Sequence, residues 1–353
     1  MYQSSTSPRG RSPISAAPIS VIGAGIAGAW QALLFAQAGR DVTLHERSDE
    51  GMTQSTSHWA GGMLAPYCEA EASEPVIVRL GLRSLKLWRE YFPQTPFNGS
   101  LVVAHARDRA DFERFARLTA GHRRLDAQGV SEIEPSLEGR FREGLFFADE
   151  GHVEPRKILP ELHARIRQSG GAIHFNSDIE PHDIDGTVID CRGLAARKIQ
   201  DYKTQDYKAQ SGLRGVKGEL ILIETSEVEL KRPVRLIHPR FPLYVIPRGN
   251  NRFMLGATSI ESESSGVSVR SALELLGAAY AVHPAFGEAR ILEFGSGLRP
   301  AYPDNLPRIA VNNDRIAVNG LYRHGFLLAP ALAELTLLYV ERGTIDNEVM
   351  QCA

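Results

Sequence analysis

Cysteine is scarce. The three cysteines, Cys68, Cys191 and Cys352, are scattered over 353 residues with no metal-ligand or redox spacing. That excludes a disulfide framework and points to a reducing, cytoplasmic compartment. Long apolar runs are also absent, and no stretch approaches the roughly 18 residues of a membrane span. Neither charge sign dominates: 40 Lys and Arg face 42 Asp and Glu, for a net charge of −2. No basic run offers a field to nucleic acid. An H-E-x-x-H motif, a cysteine pair and a carboxylate cluster are all missing, so no catalytic metal is expected. No G-x-S-x-G nucleophile elbow occurs either. Glu69, Glu71 and Glu74 form a short acidic run that reads as a solvated face.

What is present is the composition of an ordinary globular protein, 43% hydrophobic and 23% charged. The length suits two closely packed domains. Residues 1–18 are predicted to be a disordered tail: Met1 to Ala17 are rich in Ser, Pro and Arg and contain no acid. Order begins at Ile19. A short apolar strand, Ile19–Ile22, meets a glycine-rich turn and then an apolar helix from Ile26 to Ala38. Gly39 stops that helix, and a second strand runs from Val42 to Glu46, completing a βαβ opening. Helices are predicted over 74–91, 109–118 and 155–168, and strands over 172–175 and 187–190. From about Ser211 the pattern changes to closely spaced strands at 216–224, 234–238, 243–247 and 253–258, which predicts an antiparallel sheet. A helix over 269–281 interrupts it. A strand at 315–319 and a helix at 327–342 return to the first domain. The segment 200–210 carries two Asp-Tyr-Lys copies and reads as a solvated loop.

The turn Gly23-Ala24-Gly25-Ile26-Ala27-Gly28 is a G-x-G-x-x-G fingerprint in the right context, after a strand and opening a helix. Gly23 permits the tight turn, Gly25 lets backbone approach a pyrophosphate, and Gly28 lets helix and strand pack closely. The helix N-terminus offers unpaired N–H donors to phosphate. Glu46 ends the next strand at the spacing expected of a ribose-binding acid, and it disfavours a 2′-phosphate. The fingerprint alone leaves NAD and FAD open.

Further motifs carry a resemblance. Gly61-Gly62-Met63-Leu64-Ala65-Pro66 follows a Ser/Thr-rich stretch, Ser55-Thr56-Ser57. To these add Gly151-His152-Val153-Glu154-Pro155, Val216-Lys217-Gly218-Glu219 and Tyr244-Val245-Ile246-Pro247-Arg248. Gly297-Leu298-Arg299-Pro300 and Gly325-Phe326-Leu327-Leu328-Ala329-Pro330 complete the set. Together they resemble the flavin-dependent amine oxidases of the D-amino-acid oxidase superfamily, and within it the glycine oxidases of the thiamine-biosynthesis type.

The resemblance implies an α/β fold with an α+β second domain: a Rossmann-like FAD-binding domain and a discontinuous antiparallel-sheet substrate domain. It assigns residues 19–75, 140–210 and 300–345 to the first and 76–139 and 211–299 to the second. It implies non-covalent FAD, held by Gly23, Gly25, Ile26, Ala27, Gly28, Glu46, Arg47 and Ser57. The Gly61, Gly62 and Met63 loop, Arg299, and the His324, Gly325, Phe326 and Leu327 turn would complete that site.

Arg299 is the expected carboxylate anchor, because a guanidinium makes a bidentate, charge-assisted pair. Tyr244 would add a phenol hydrogen bond. Arg323 would sit beside the flavin. His324 reads as a supporting histidine rather than a base. Arg192 replaces a small residue of the family and is expected to reach solvent or a phosphate. His58-Trp59 is bulkier than the family's usual residues. The implied reaction is hydride transfer from the Cα of glycine or another small amino acid to flavin N5. It gives an imine and, with molecular oxygen, hydrogen peroxide. A thiazole synthase is the implied partner, and a homo-oligomer the implied assembly. A D-amino-acid or sarcosine-type oxidase or dehydrogenase, and a non-catalytic FAD-binding subunit, remain open at this point.

Overall fold

The computed structural model describes residues 17–201, 212–240 and 242–352. The segment 202–211 with most of the Asp-Tyr-Lys repeat, and residues 1–16 of the predicted tail, lie outside the described residues. Two large sheets organise the chain. The first has seven strands in the spatial order Met350–Cys352, Arg308–Asn312, Arg315–Asn319, Thr187–Asp190, Ile19–Ile22, Val42–His45 and Ala172–His174. The five from Arg315–Asn319 onward run parallel. A parallel sheet is covered on both faces, and Ile19–Ile22 is accordingly buried at every residue.

The helix Ile26–Gln37 is apolar around most of its circumference, so it must be packed on several sides. Ten of its twelve residues are buried, against the final helix, Gly325–Arg342, and against Pro155–Gln168. Gln31, polar within that packing, donates to Thr336 Oγ1 at 3.1 Å. The final helix contains Pro330. Proline lacks an N–H and displaces the preceding turn, which orphans a carbonyl. Helix Pro75–Tyr91 repairs the gap: the Trp88 indole donates to the Phe326 carbonyl at 3.0 Å, and Ser84 Oγ accepts from the Ala331 amide at 3.1 Å.

The second sheet has eight strands in the order Arg290–Ala301, Arg214–Glu224, Arg252–Gly256, Leu243–Pro247, Val234–Ile237, Ser100–Ala104, Glu143–Phe147 and Arg123–Asp126. All neighbours are antiparallel except Val234–Ile237 with Ser100–Ala104. Period-two alternation sorts its side chains. Ile221, Ile223, Val234, Leu236, Leu243, Val245, Phe253 and Leu255 form a core with helix Val269–Val282. Leu220, Leu222, Ile246 and Met254 form a separate cluster with Tyr244, Met63 and Trp59. This second face covers the nucleotide half.

Helix Pro75–Tyr91, expected with the substrate domain, packs on the final helix. Strand Glu143–Phe147, expected with the cofactor domain, joins the eight-stranded sheet. Strand Arg290–Ala301, which carries Gly295, Gly297 and Pro300, is not among the strands expected from sequence. The structure gives a reason for the first glycine: a Cβ there would lie 2.0 Å from the Trp59 ring.

Candidate functional site

A cavity of about 680 Å³ runs between the two sheets. At one end lies the fingerprint turn. Gly23 has φ +97°, and a Cβ on it would meet the Cys191 carbonyl oxygen at 2.8 Å. Gly28 lies against Gly23, so a Cβ would fall 1.9 Å from the Gly23 oxygen. Gly28 therefore shapes the turn without lining the cavity, whereas Gly23, Gly25, Ile26 and Ala27 do line it. The helix starts at Gly25 with no side-chain cap and no acid in its first turn. Its unpaired N–H groups and dipole favour an anion. Ser57 Oγ accepts from the Ile26 amide at 3.1 Å, tying the Ser/Thr loop to this end.

Glu46 is held by three hydrogen bonds. It accepts from the Ala24 amide at 2.8 Å, the Ser48 amide at 2.9 Å and the Ser48 hydroxyl at 2.8 Å. It lines the cavity with Arg47. Arg192 also lines it, but its guanidinium pairs with Asp190 at 3.0 Å and Glu180 at 2.8 Å. These acids hold an arginine that sequence reading sent to solvent or phosphate.

In the middle, Gly61, Gly62 and Met63 line the cavity. Gly62 has φ +69° and no room for a Cβ, which would lie 2.2 Å from the Val153 oxygen. Arg248 fastens this loop from behind, donating to the Gly61 carbonyl at 2.6 Å and the Val153 carbonyl at 2.9 Å. Burial lowers its pKa to about 10. The bulky Trp59 is accommodated by the glycines of strand Arg290–Ala301, with the Arg156 guanidinium 4.7 Å above its ring. Thr56 Oγ1 donates to the Leu298 carbonyl at 2.7 Å, so loop and strand are stitched together.

At the far end, Tyr244, Arg299 and Arg323 line one pocket with Arg235, Glu69, Tyr322 and Ser259. Arg299 donates to the Thr258 carbonyl at 2.9 Å and has no carboxylate within 4.0 Å among the described residues. Burial draws its pKa down to about 10, so it stays charged at neutral pH. Burial pushes the Tyr244 phenol well up, so it stays protonated as a donor. Arg235 stands opposite Tyr244 in the strand register, with Nη1 3.5 Å from the phenol oxygen, and pairs with Glu71 at 3.0 Å.

Glu69 pairs with Arg323 at 2.8 Å. Burial opposes its ionisation, but His324, Arg323 and Arg235 more than offset that and hold its pKa below the usual range. Glu69 and Glu71 are thus half-buried and ion-paired, not a solvated face; only Glu74 of the run is exposed. Burial pulls His324 down to about 4, and its Nδ1 lies 3.5 Å from Glu69. His324 and Leu327 lie behind the lining, while Gly325 and Phe326 reach it. The final helix points its uncapped, acid-free N-terminus here. Sequence reading missed Arg235. Its signal was the alternation Val234-Arg235-Leu236, which puts the arginine on the face opposite the core.

Behind Glu69 lies Glu150, fully buried. It accepts from the Cys68 amide at 2.9 Å, the Cys68 thiol at 3.3 Å and the Ser100 hydroxyl. Burial raises its pKa to about 7, these bonds offsetting it in part. A folded pKa above the unfolded value of about 4.3 means stability that is full below that value and lost as pH rises through about 7. Thermal stability is therefore expected to fall between pH 5 and 8, by about 3 kcal/mol from this group. Glu150→Gln should flatten the fall. An identical fall in Tm for parent and variant would rule out this origin.

A glycine fingerprint on a parallel sheet, a fixed ribose-directed acid, and a cavity continuing under a second sheet define a dinucleotide-dependent oxidoreductase. The paired cradle fits a flavin dinucleotide: Gly23, Gly25 and Glu46 at one end, Gly61–Met63 in the middle, and the Gly325 helix start at the other. The family model DAO, FAD dependent oxidoreductase, matches residues 19–337, and the chain belongs to that family. It is 48% identical over 322 residues to a Rhizobium etli protein bearing the name thiamine biosynthesis oxidoreductase ThiO, covering 89% of this chain and 94% of that one. It is 25% identical over 355 residues to the glycine oxidase of Geobacillus kaustophilus, covering 92% and 93%. The solved glycine oxidase of Bacillus cereus superposes with a TM-score of 0.77 at 21% identity, over 94% of this chain and 97% of that one. Its fold is the α/β arrangement of the sequence expectation. Among the described residues no cluster could hold a metal, and no helix is long and apolar enough to cross a membrane.

Proposed function

We propose that this FAD-dependent enzyme oxidises glycine or a similarly small amino acid to its imine, in the service of thiazole formation for thiamine. The observation that carries this is Arg299, a half-buried guanidinium without a carboxylate partner among the described residues, facing a cavity that Tyr244 also lines. Such a charge is costly unless a ligand anion completes it. Arg299 holds the substrate carboxylate, and the Tyr244 phenol donates to the same group. Glu69 and Arg323 neutralise each other, as do Glu71 and Arg235. One net positive charge is left for one carboxylate. When bound, FAD supplies the two-electron acceptor for the substrate's Cα hydride, and oxygen is the terminal oxidant.

Fixing the carboxylate orients Cα and excludes water from it, so positioning supplies most of the catalysis. The residues that hold the cofactor are those of the fingerprint, Glu46, Arg47, Ser57, Gly61–Met63 and Gly325–Phe326. The three free cysteines support a cytoplasmic setting. The name of the Rhizobium relative supports a place in thiamine biosynthesis, and a thiazole synthase is the proposed recipient of the imine. A homo-oligomer belongs to the same reading and is tested by light scattering.

The test is hydrogen peroxide release by the purified yellow protein with glycine, sarcosine, D-alanine and D-proline. Highest kcat/KM with glycine is the expected result. Flavin bleaching without peroxide would make the protein a dehydrogenase. No bleaching by any of the four would overturn the amino-acid reading.

A further inference from the structure

The Arg299 guanidinium lies on strand Arg214–Glu224 directly over Gly218. A Cβ at Gly218 would fall 2.1 Å from one terminal nitrogen, 2.3 Å from Cζ and 2.9 Å from Nε. No side chain fits under the guanidinium where it now lies. Arg299 and Val216 are register partners on the paired strands, so the arginine crosses two residues along its neighbour to reach Gly218. Its hydrogen bond to the Thr258 carbonyl fixes one end. Thr258 is itself locked: its amide donates to the Glu219 carbonyl at 3.1 Å, and its hydroxyl oxygen accepts from the Glu219 amide at 2.9 Å.

The Glu219 side chain could have neutralised the anchor, but it points the other way. Alternation along the strand puts Lys217 and Glu219 on the face opposite Gly218. There Glu219, fully buried, pairs with Lys217 at 2.7 Å and accepts from the Ser268 amide at 3.0 Å. The acid next to Gly218 in sequence is therefore already compensated. Thr258 is held without adding net charge beneath Arg299.

We propose that Gly218 and Thr258 are positioning residues for Arg299: Gly218 is a floor without a side chain, and Thr258, clamped to Glu219, is the stop that sets the guanidinium's place. This rests on the reading of Arg299 as a carboxylate anchor. It goes beyond that reading in assigning how the anchor is aimed and why it remains uncompensated.

The experiment compares holoenzymes of the parent, Gly218→Ala, Arg299→Ala and the double variant. Acetate binding is titrated by its perturbation of the flavin absorbance, with glycine KM and kcat measured alongside. Gly218→Ala is expected to raise the acetate dissociation constant and glycine KM together by about 100-fold. The kcat should hold within about 3-fold, with FAD content unchanged. In the Arg299→Ala background the same substitution should have no further effect on acetate, because it acts through the guanidinium. Unchanged acetate affinity, or an equal loss in both backgrounds, overturns the proposal.

If Gly218→Ala does not fold, Thr258→Ala and Thr258→Ser decide. Alanine should weaken acetate about 10-fold and serine restore it; equal behaviour of the two overturns the clamp. A parent that binds acetate through Arg299 yet oxidises no amino acid removes the proposed substrate and leaves the positioning intact.

Discussion

Arg299→Ala should keep its yellow colour and lose about a thousandfold in kcat/KM for its amino acid. The direction follows from what surrounds the guanidinium. It has a carbonyl partner in Thr258 and, among the described residues, no acid within ion-pair distance. The strongest partner available to it is therefore the ligand's carboxylate. Losing one side of a buried, hydrogen-bonded charge pair costs about 2–5 kcal/mol. At 1.36 kcal/mol per factor of ten, about 4 kcal/mol is roughly a thousandfold. Colour should persist because the fingerprint turn, Glu46 and the Gly61–Met63 loop do not depend on Arg299. Arg299→Lys keeps the charge but loses the planar fork, so it should fall between parent and Ala. Steady-state kinetics with a flavin-content check measures this. Activity of the Ala variant within threefold of the parent would remove Arg299 as the anchor.

Gly28→Ala should yield protein without bound FAD and with a sharply lowered Tm. One methyl group suffices because the space is already filled: the added carbon would sit 1.9 Å from the Gly23 carbonyl oxygen. That neighbour is backbone and cannot rotate away. Helix Ile26–Gln37 would have to lift from strand Ile19–Ile22, moving the turn that presents its N–H groups. Overpacking of this kind costs about 1–3 kcal/mol even where side chains can yield, and backbone yields less. Gly277→Ala is the matched control. Gly277 lies in helix Val269–Val282 with nothing within 4 Å of its would-be Cβ. There alanine should stabilise by about 0.5–1 kcal/mol through helix propensity alone. Thermal melts and the flavin-to-protein absorbance ratio separate the two. A Gly28→Ala protein that purifies yellow and melts with the parent would show that helix and strand can part without cost.

These expectations differ in how much of their basis was legible in the sequence. The fingerprint turn was readable from residues alone. Its chemistry is local: strand, glycines and helix start are contiguous, and Glu46 follows at a spacing set by one helix and one strand. Arg299 and Tyr244, singled out through short motifs, both line the cavity. Strand Arg290–Ala301 was not readable, because Gly295 and Gly297 signal a loop unless one knows that Trp59, more than two hundred residues earlier, lies against them. Arg248 was quoted as part of a motif, but its task could not be seen. The Gly61 and Val153 carbonyls it holds come from two separate segments.

The sequence by itself determined the nucleotide half and its glycine positions, because each depends on neighbours a few residues away, and a resemblance in short motifs singled out Arg299 as the proposed anchor. The tertiary structure alone decided which charges remain available. Glu69 and Glu71 read as solvent-facing until Arg323 and Arg235 close on them. Glu219, part of a motif with no role of its own in the sequence, is turned by strand alternation to pair with Lys217. Whether a charge is free depends on what packs against it, and here those partners come from distant strands and helices.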